Sequence, residues 1–240
     1  MSKRGNQRMA TRLIRQQKAK EARRNRSIRV SAITAGVLLL VSVGAYAVYA
    51  NTKDTAHNVP QSTNASGTGI VAGSGPIKVD VYQDYLCPSC RAFHSAAQER
   101  LQKMVQDNQI TLATFPIAIL DRLSTNRYST RSAAAAGCAA DGGKFAQFSD
   151  ALYAKQPAEG GAGYTDAELV AMGRSAGLGD AFASCVNDGT YASWPSFATD
   201  ESSRRGVTGT PTIFVNNQKV TPAQGQTITD AVFNAIAAQS

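Results

Sequence analysis

The sequence predicts an α/β protein that has a mixed central sheet flanked by helices, an inserted α-helical region and one N-terminal transmembrane helix. Two observations carry this prediction. Over residues 76–240 the apolar residues follow a strand–helix–strand pattern, then a long helical pattern, then a strand–strand–helix pattern. Near the N-terminus, residues 30–50 form a run of 21 uncharged and mostly apolar residues.

Residues 30–50 are long enough to cross a membrane. A 21-residue helix runs about 31 Å, and the hydrocarbon core of a bilayer is about 30 Å thick. Residues 1–29 hold 11 of the 25 Lys and Arg residues and one acid, which favours a cytoplasmic N-terminus. We expect a single-pass anchor in the lipid bilayer of the cell membrane, with the chain after Ala50 extracytoplasmic. The alternative is a signal peptide cleaved after Ala50, which would release a secreted form.

The net charge of +8 does not indicate a nucleic-acid-binding protein. Residues 1–29 alone carry +10, so the remaining 211 residues are close to neutral at −2. Because the topology of a membrane protein already explains a basic tail, we expect no nucleic-acid partner.

Composition divides the remainder of the chain. Residues 51–75 are rich in Asn, Thr, Ser and Gly, which predicts a flexible linker. The folded domain is predicted to consist of residues 76–122 and 206–240. Between these two parts, residues 123–205 are rich in Ala and predict a helical insertion.

The first part of the domain is predicted to be a β–α–β unit with two cysteines at the start of its helix. Residues 77–81 alternate between apolar and polar types, which predicts a strand. The sequence Cys-Pro-Ser-Cys follows at residues 87–90, and helical spacing continues to about Gln106. Residues 110–120 predict the second strand, which a right-handed crossover would make parallel to the first.

The second part is predicted to be a hairpin over residues 213–220 and a helix over residues 227–238. It follows the sequence Gly-Val-Thr-Gly-Thr-Pro-Thr at residues 206–212. With the Cys-Pro-Ser-Cys motif and this order of elements, the chain resembles the thioredoxin superfamily over about residues 76–240. The helical insertion resembles that of the DsbA-like thiol–disulfide oxidoreductases. The resemblance implies a thioredoxin fold and an enzyme that needs no cofactor.

Cys87 is predicted to be the reactive sulfur. At a helix N-terminus the unpaired backbone N–H groups and the helix dipole favour a thiolate, so we expect its pKa to lie below the usual value of about 8.5. Arg91 adds a positive charge, and Pro88 and Ser89 support the site, Pro88 at the first helical position. Cys90 is expected to be the less exposed, resolving cysteine. An inert disulfide is disfavoured, since so short a bridge closes almost no loop.

The resemblance adds Thr210 and Pro211 to the site. In this family the proline is cis and lies beside the two cysteines, and it would leave the backbone of Thr210 free to pair with an extended substrate. An ordinary trans proline at a strand edge is the alternative. Many relatives also carry a buried acid six residues before the first cysteine. Val81 holds that position here, and Asp84 is expected to be a solvated turn residue.

His94 lies one helical turn after Cys90 on the same face of the helix. It is therefore a candidate support residue of the active site that could influence Cys90, although we prefer to interpret it as a polar residue on a half-exposed helix. Together with the two cysteines it could instead form a three-ligand copper site, although we predict no bound metal. Cys138 and Cys185, 47 residues apart in the insertion, are predicted to form a structural disulfide, with two buried free thiols as the alternative.

The sequence thus predicts an extracytoplasmic thiol–disulfide oxidoreductase. It would donate the Cys87–Cys90 disulfide to exported or unfolded proteins that contain cysteines. The resemblance implies a quinone-linked membrane partner that re-oxidises the enzyme. A reductase or isomerase would use the same residues, and a copper chaperone or a non-catalytic thioredoxin-like binding protein are further alternatives.

Overall fold

The computed structural model describes residues 41–42 and 57–239. The predicted basic tail, residues 51–56 of the predicted linker and most of the predicted anchor lie outside the described residues. Of the anchor only Val41 and Ser42 are described, and both are helical. In the described part of the chain, no helix has both the length and the apolar character needed to cross a bilayer.

A mixed five-stranded sheet forms the centre of the domain, with the strand order β1-β3-β2-β4-β5. The strands are β1 (Ile70–Ala72), β2 (Ile77–Gln83), β3 (Ile110–Pro116), β4 (Thr212–Val215) and β5 (Gln218–Lys219). The central pair β2 and β3 is parallel, and each other neighbouring pair is antiparallel. The predicted mixed sheet is therefore confirmed.

The helices lie on both faces of the sheet and in one inserted block between β3 and β4. They are α1 (Pro88–Gln106), α2 (Tyr128–Asp141), α3 (Phe145–Ala154), α4 (Asp166–Ser175), α5 (Asp180–Asn187), α6 (Trp194–Arg204) and α7 (Ile228–Ala237). Helices α2 to α6 form the insertion, so the predicted order of β–α–β, helices and β–β–α is confirmed.

Alternation along β2 explains how the sheet is covered. Val79 and Val81 point to the face on which α1 and α7 pack, in a core that includes Leu101 and Val232. Tyr82 points to the opposite face, in a core shared with α6. Because β2 and β3 are parallel, their C-terminal ends lie on the same side of the sheet, and so do the loops that follow them. Helix α1 begins on this side.

The structure differs from the predicted linker over residues 57–75. Ile70 lies in β1 on the edge of the sheet and is only 5% exposed. Thr63 forms a bridge with Ile70, and the indole N–H of Trp194 donates to the carbonyl of Gly67 at 2.7 Å. A Cβ on Gly69 would lie 2.7 Å from the Phe115 ring, so the missing side chain there permits close packing. The folded domain therefore begins before residue 76.

The insertion shares an apolar core with the segment that carries the site cysteines, and it contains a disulfide. Phe148, Leu152 and Trp194 are fully buried in one apolar cluster. A disulfide joins Cys138 on α2 to Cys185 on α5. For this sequence separation of 47 residues, loop closure in the unfolded chain makes such a bond worth about 4 kcal/mol.

We predict that Ile70→Ala lowers the free energy of unfolding by about 2–5 kcal/mol, because it leaves a cavity in a buried site. Val59→Ala is the matched control in the same segment, since Val59 is 37% exposed, and should cost only about 0.5 kcal/mol. Urea denaturation of both variants measures the difference. Equal, small losses would mean that residues 57–75 contribute nothing to the fold.

Candidate active site

The two site cysteines lie where β2 gives way to α1. Cys87 is the N-cap residue of α1, with an extended backbone at φ −74° and ψ 117°, and Pro88 occupies the first helical position. The N–H of Cys87 donates to the carbonyl of Asp84 at 3.0 Å, which closes the turn that leads into the helix. Cys90 lies one turn further along, and both thiols are free. The geometry is therefore that of a reduced dithiol at a helix N-terminus.

The two sulfurs differ in acidity. The Cys90 thiol, which hydrogen-bonds to the Cys87 sulfur, does most to lower the pKa of Cys87 to about 5. Burial opposes this effect, whereas hydrogen bonds from Thr210 and from the backbone of Cys90 and Ser89 add to it. For Cys90, burial raises the pKa, and the neighbouring Cys87 sulfur raises it further. At neutral pH the reduced site therefore holds a Cys87 thiolate and a Cys90 thiol.

Exposure distinguishes the sulfurs in the same direction. Cys87 keeps 7% of its surface exposed, against 1% for Cys90. The neighbouring Pro88 and Ser89 are exposed, so the approach to the site is over these two residues. An incoming thiolate therefore reaches Cys87 first.

The start of β4 completes the site. The Thr210–Pro211 peptide bond is cis, and the Cys87 sulfur lies 3.3 Å from the carbonyl oxygen of Thr210, to which it can donate a hydrogen bond when it is protonated. The fold thus brings together the two segments that the resemblance paired, although they lie 123 residues apart in the sequence. The half-buried Thr210 and Pro211 form one wall beside the reactive sulfur.

His94 is not the half-exposed residue that the sequence predicts. It is 9% exposed, its Nε2 atom lies 2.7 Å from Oδ1 of Asp150, and its ring lies 4.6 Å from that of Tyr153. The reason is that α3 of the insertion covers this face of α1. Among residues 41–42 and 57–239, no group of three or more His, Cys, Asp or Glu side chains is placed to hold a metal ion.

Asp84 is also not the solvated turn residue that we expected. It is completely buried. Its Oδ1 atom accepts hydrogen bonds from the N–H of Leu86 at 2.9 Å and the hydroxyl of Ser129 at 2.7 Å. Its Oδ2 atom accepts one from the N–H of Leu120 at 3.0 Å. Burial raises the pKa of Asp84 to about 6, although these hydrogen bonds oppose the rise.

Asp84 therefore fastens the loop before Cys87 to α2 and to the segment after β3. The contact with Leu86 is predictable from the sequence, because an Asp side chain often accepts a hydrogen bond from the backbone N–H two residues later in an Asx turn. The contacts with Ser129 and Leu120 are not predictable from the neighbouring residues. Asp80, the other nearby acid, points away from the cysteines and pairs with Arg205 at 2.7 Å.

A second residue without a sequence signal is Gln156, just after α3. Its side-chain amide donates to the carbonyl oxygens of Tyr85 at 3.0 Å and Cys87 at 2.9 Å. The hydroxyl of Tyr85 lies 2.7 Å from that of Ser149 on α3. The insertion thus holds the active-site loop at several points.

The acidity of Cys87 predicts how the stability of the reduced protein depends on pH. The pKa of Cys87 is about 5 when folded and about 8.5 in an unfolded chain. Between these values the unfolded chain binds a proton that the folded protein does not, so stability rises with pH. The free energy of unfolding of the reduced protein, minus that of the oxidised protein, should therefore increase from pH 5 to about pH 8.5.

Denaturant titrations of both redox forms measure this difference, in which groups common to both forms largely cancel. Reduced Cys87→Ser should lack the rise. A difference that stays constant over this range would show that Cys87 is not ionised in the folded protein.

We predict that Asp84→Asn destabilises the protein by about 1–3 kcal/mol, because an amide offers one acceptor oxygen and leaves a buried donor unpaired. Ser129→Ala removes one of the same hydrogen bonds and should cost less. Thermal unfolding measures both losses. An unchanged Asp84→Asn protein would contradict the role of this carboxylate as an anchor of the loop.

Comparison with known proteins agrees with this geometry. The family model described as "Thioredoxin" matches residues 65–233. The serine/threonine-protein kinase PknE of Mycobacterium tuberculosis is 32% identical over 130 residues. That match covers 50% of this chain but only 23% of the kinase, so it concerns one part of that protein.

Two solved structures from Mycobacterium tuberculosis share the fold. The reduced disulfide bond oxidoreductase DsbG is 29% identical with a TM-score of 0.59, over 74% of this chain and 85% of DsbG. Reduced DsbA is 26% identical with a TM-score of 0.59, over 72% of this chain and 100% of DsbA. The chain therefore belongs to the thioredoxin family and has the fold of the DsbA-type proteins.

Proposed function

We propose that this enzyme works as an oxidase, which donates the Cys87–Cys90 disulfide to exported or unfolded proteins that contain cysteines. The observation that carries the proposal is the position of Cys87 at the N-terminus of α1 beside Cys90, which lowers its pKa to about 5. Stabilising the thiolate stabilises the reduced enzyme, and a dithiol that is stable when reduced forms an oxidising disulfide. In a reductase the disulfide form would have to be the more stable one relative to the dithiol.

The reaction begins with attack on Cys87. A client thiolate bonds to the sulfur of Cys87, the Cys87–Cys90 bond breaks, and Cys90 leaves and takes up a proton. The raised pKa of Cys90 keeps that proton in place. A mixed disulfide between the client and Cys87 results.

The second step releases the oxidised client. Another client thiolate attacks the client sulfur of the mixed disulfide, and Cys87 leaves as a thiolate. Its low pKa makes it a good leaving group. Two electrons have then passed from the client to the enzyme, and the client holds a new disulfide. During both steps, the backbone of Thr210 would pair with the extended client chain beside Cys87.

The reduced enzyme must be re-oxidised. We propose a quinone-linked membrane protein as its oxidant and an extracytoplasmic location, with residues 30–50 as the anchor in the lipid bilayer. The uncharged run of residues supports the anchor. The Cys138–Cys185 disulfide supports an oxidising compartment.

We predict that the oxidised full-length chain transfers one disulfide per molecule to a reduced, unfolded protein. Cys87→Ser should transfer none. Cys90→Ser, which keeps the attacking sulfur, should instead accumulate a covalent complex with a client whose thiols are activated as mixed disulfides. Free-thiol titration and non-reducing electrophoresis measure these outcomes.

The direction of electron flow is tested by equilibration with glutathione buffers. An oxidase should have a potential well above the roughly −270 mV of thioredoxin, towards the roughly −120 mV of DsbA. A value near that of thioredoxin would assign the protein as a reductase. Failure of the wild-type disulfide to transfer at all would remove the oxidase proposal.

A further inference from the structure

The backbone of Cys87 is held from outside the thioredoxin-like part of the chain. The carbonyl oxygen of Cys87 accepts two hydrogen bonds, one from the N–H of Arg91 at 3.2 Å and one from the side chain of Gln156 at 2.9 Å. The first is the ordinary opening bond of α1. The second comes from the insertion, 69 residues away in the sequence.

Gln156 makes this contact together with one to Tyr85. Its Nε2 atom has two hydrogens, and it donates to the carbonyls of Tyr85 and Cys87 at 3.0 and 2.9 Å. Both carbonyls lie in the turn that sets the direction of α1. A single side chain therefore fixes two peptide planes on either side of Leu86.

The other contacts between this turn and the insertion hold different groups. Ser129 binds the side chain of Asp84, and Ser149 binds the side chain of Tyr85. The Gln156 amide, by contrast, hydrogen-bonds to the backbone of the reactive cysteine itself. Gln156 is half-buried and lies two residues after the end of α3.

We propose that Gln156 is a positioning residue of the active site, which holds the Cys87 peptide so that the sulfur lies at the N-terminus of α1 and faces the Thr210 carbonyl. The lack of a negative charge on this side chain matters for the position of Cys87 as much as its length does. Its N–H groups place positive dipole ends against two carbonyls close to the sulfur. A neutral amide that donates twice stabilises this arrangement, and a carboxylate of the same size would oppose both the contacts and the thiolate.

The inference rests on the proposed function only in that Cys87 is the reactive sulfur. The test therefore uses the reduced full-length chain without a client protein. The pKa of Cys87 is obtained from the pH dependence of its alkylation by iodoacetamide, and the potential from glutathione buffers. Lack of disulfide transfer by the wild type would remove the oxidase proposal but would leave these two measurements meaningful.

We predict that Gln156→Glu raises the pKa of Cys87 by about one unit or more, since a like charge disfavours ionisation. Alkylation at pH 5, where about half of the wild-type Cys87 is ionised, should slow by about fivefold, and the disulfide should become less oxidising. Gln156→Met, which removes both donors without adding charge, should shift the pKa in the same direction by a smaller amount. It also serves if the glutamate variant does not fold.

Gln147→Glu is the matched control, because it makes the same change on the exposed side of α3, at a residue that borders the cleft beside β1. It should leave the pKa of Cys87 and the potential unchanged. The proposal is overturned if folded Gln156→Glu and Gln156→Met both keep the wild-type pKa. It is also overturned if Gln156→Met destabilises the oxidised and reduced proteins equally, since that is the signature of a purely structural contact.

Discussion

The site depends on the polar groups that converge on one sulfur. Cys87 occupies the N-cap position of α1 beside Cys90, and its thiol can donate a hydrogen bond to the carbonyl oxygen of Thr210. Since these groups belong to α1 and to the segment that leads into β4, their convergence requires that β2, α1 and β4 all be in place. The parallel pairing of β2 with β3 and the antiparallel pairing of β2 with β4 meet this requirement. Chemistry at Cys87 is thus a property of the assembled sheet, since a helix N-terminus alone supplies only part of these interactions.

The insertion contributes more than a cover for the site. Three of its side chains contact the segment that leads into α1. The hydroxyl of Ser129 binds Asp84, the hydroxyl of Ser149 binds that of Tyr85, and the amide of Gln156 binds the carbonyl of Cys87. It also buries the face of α1 that carries His94, through Tyr153 and Asp150 on α3. Since Asp84, Tyr85 and His94 are polar and buried, each must be paired to avoid a desolvation cost. The paired network makes the turn a fixed element rather than a mobile loop.

Patterns of neighbouring residues predicted those features that depend on interactions between residues close in sequence. The alternation along β2, the helix after Cys87 and the order of elements are confirmed, because they follow from apolar spacing and from turn residues. Asn216 and Asn217 show this at the hairpin, where both adopt positive φ. The pairing of residues 87–90 with residues 210–211 came from a resemblance, and the geometry places these segments in contact.

The features that were missed depend on partners distant in sequence. Asp84 is buried because Ser129 and the N–H of Leu120 satisfy its oxygens, and neither partner can be identified from the residues around it. His94 was expected at the surface because the position of α3 was unknown. Residues 57–75 resemble a linker in composition, yet their glycines serve turns and close contacts. Gly67 adopts a φ of 71°, and Gly69 packs against Phe115.

The short β1 strand limits the main-chain pairing of the sheet with other extended chains. A sheet edge with free N–H and C=O groups can pair with any unfolded segment and so begin aggregation. Here β1 covers the edge of β3 and is itself bridged by Thr63. At the opposite edge β5 has only two residues, one of them a lysine, and both are exposed. With both borders of the sheet blunted in this way, the main-chain pairing proposed for a client at Thr210 meets little competition from the edges of the sheet.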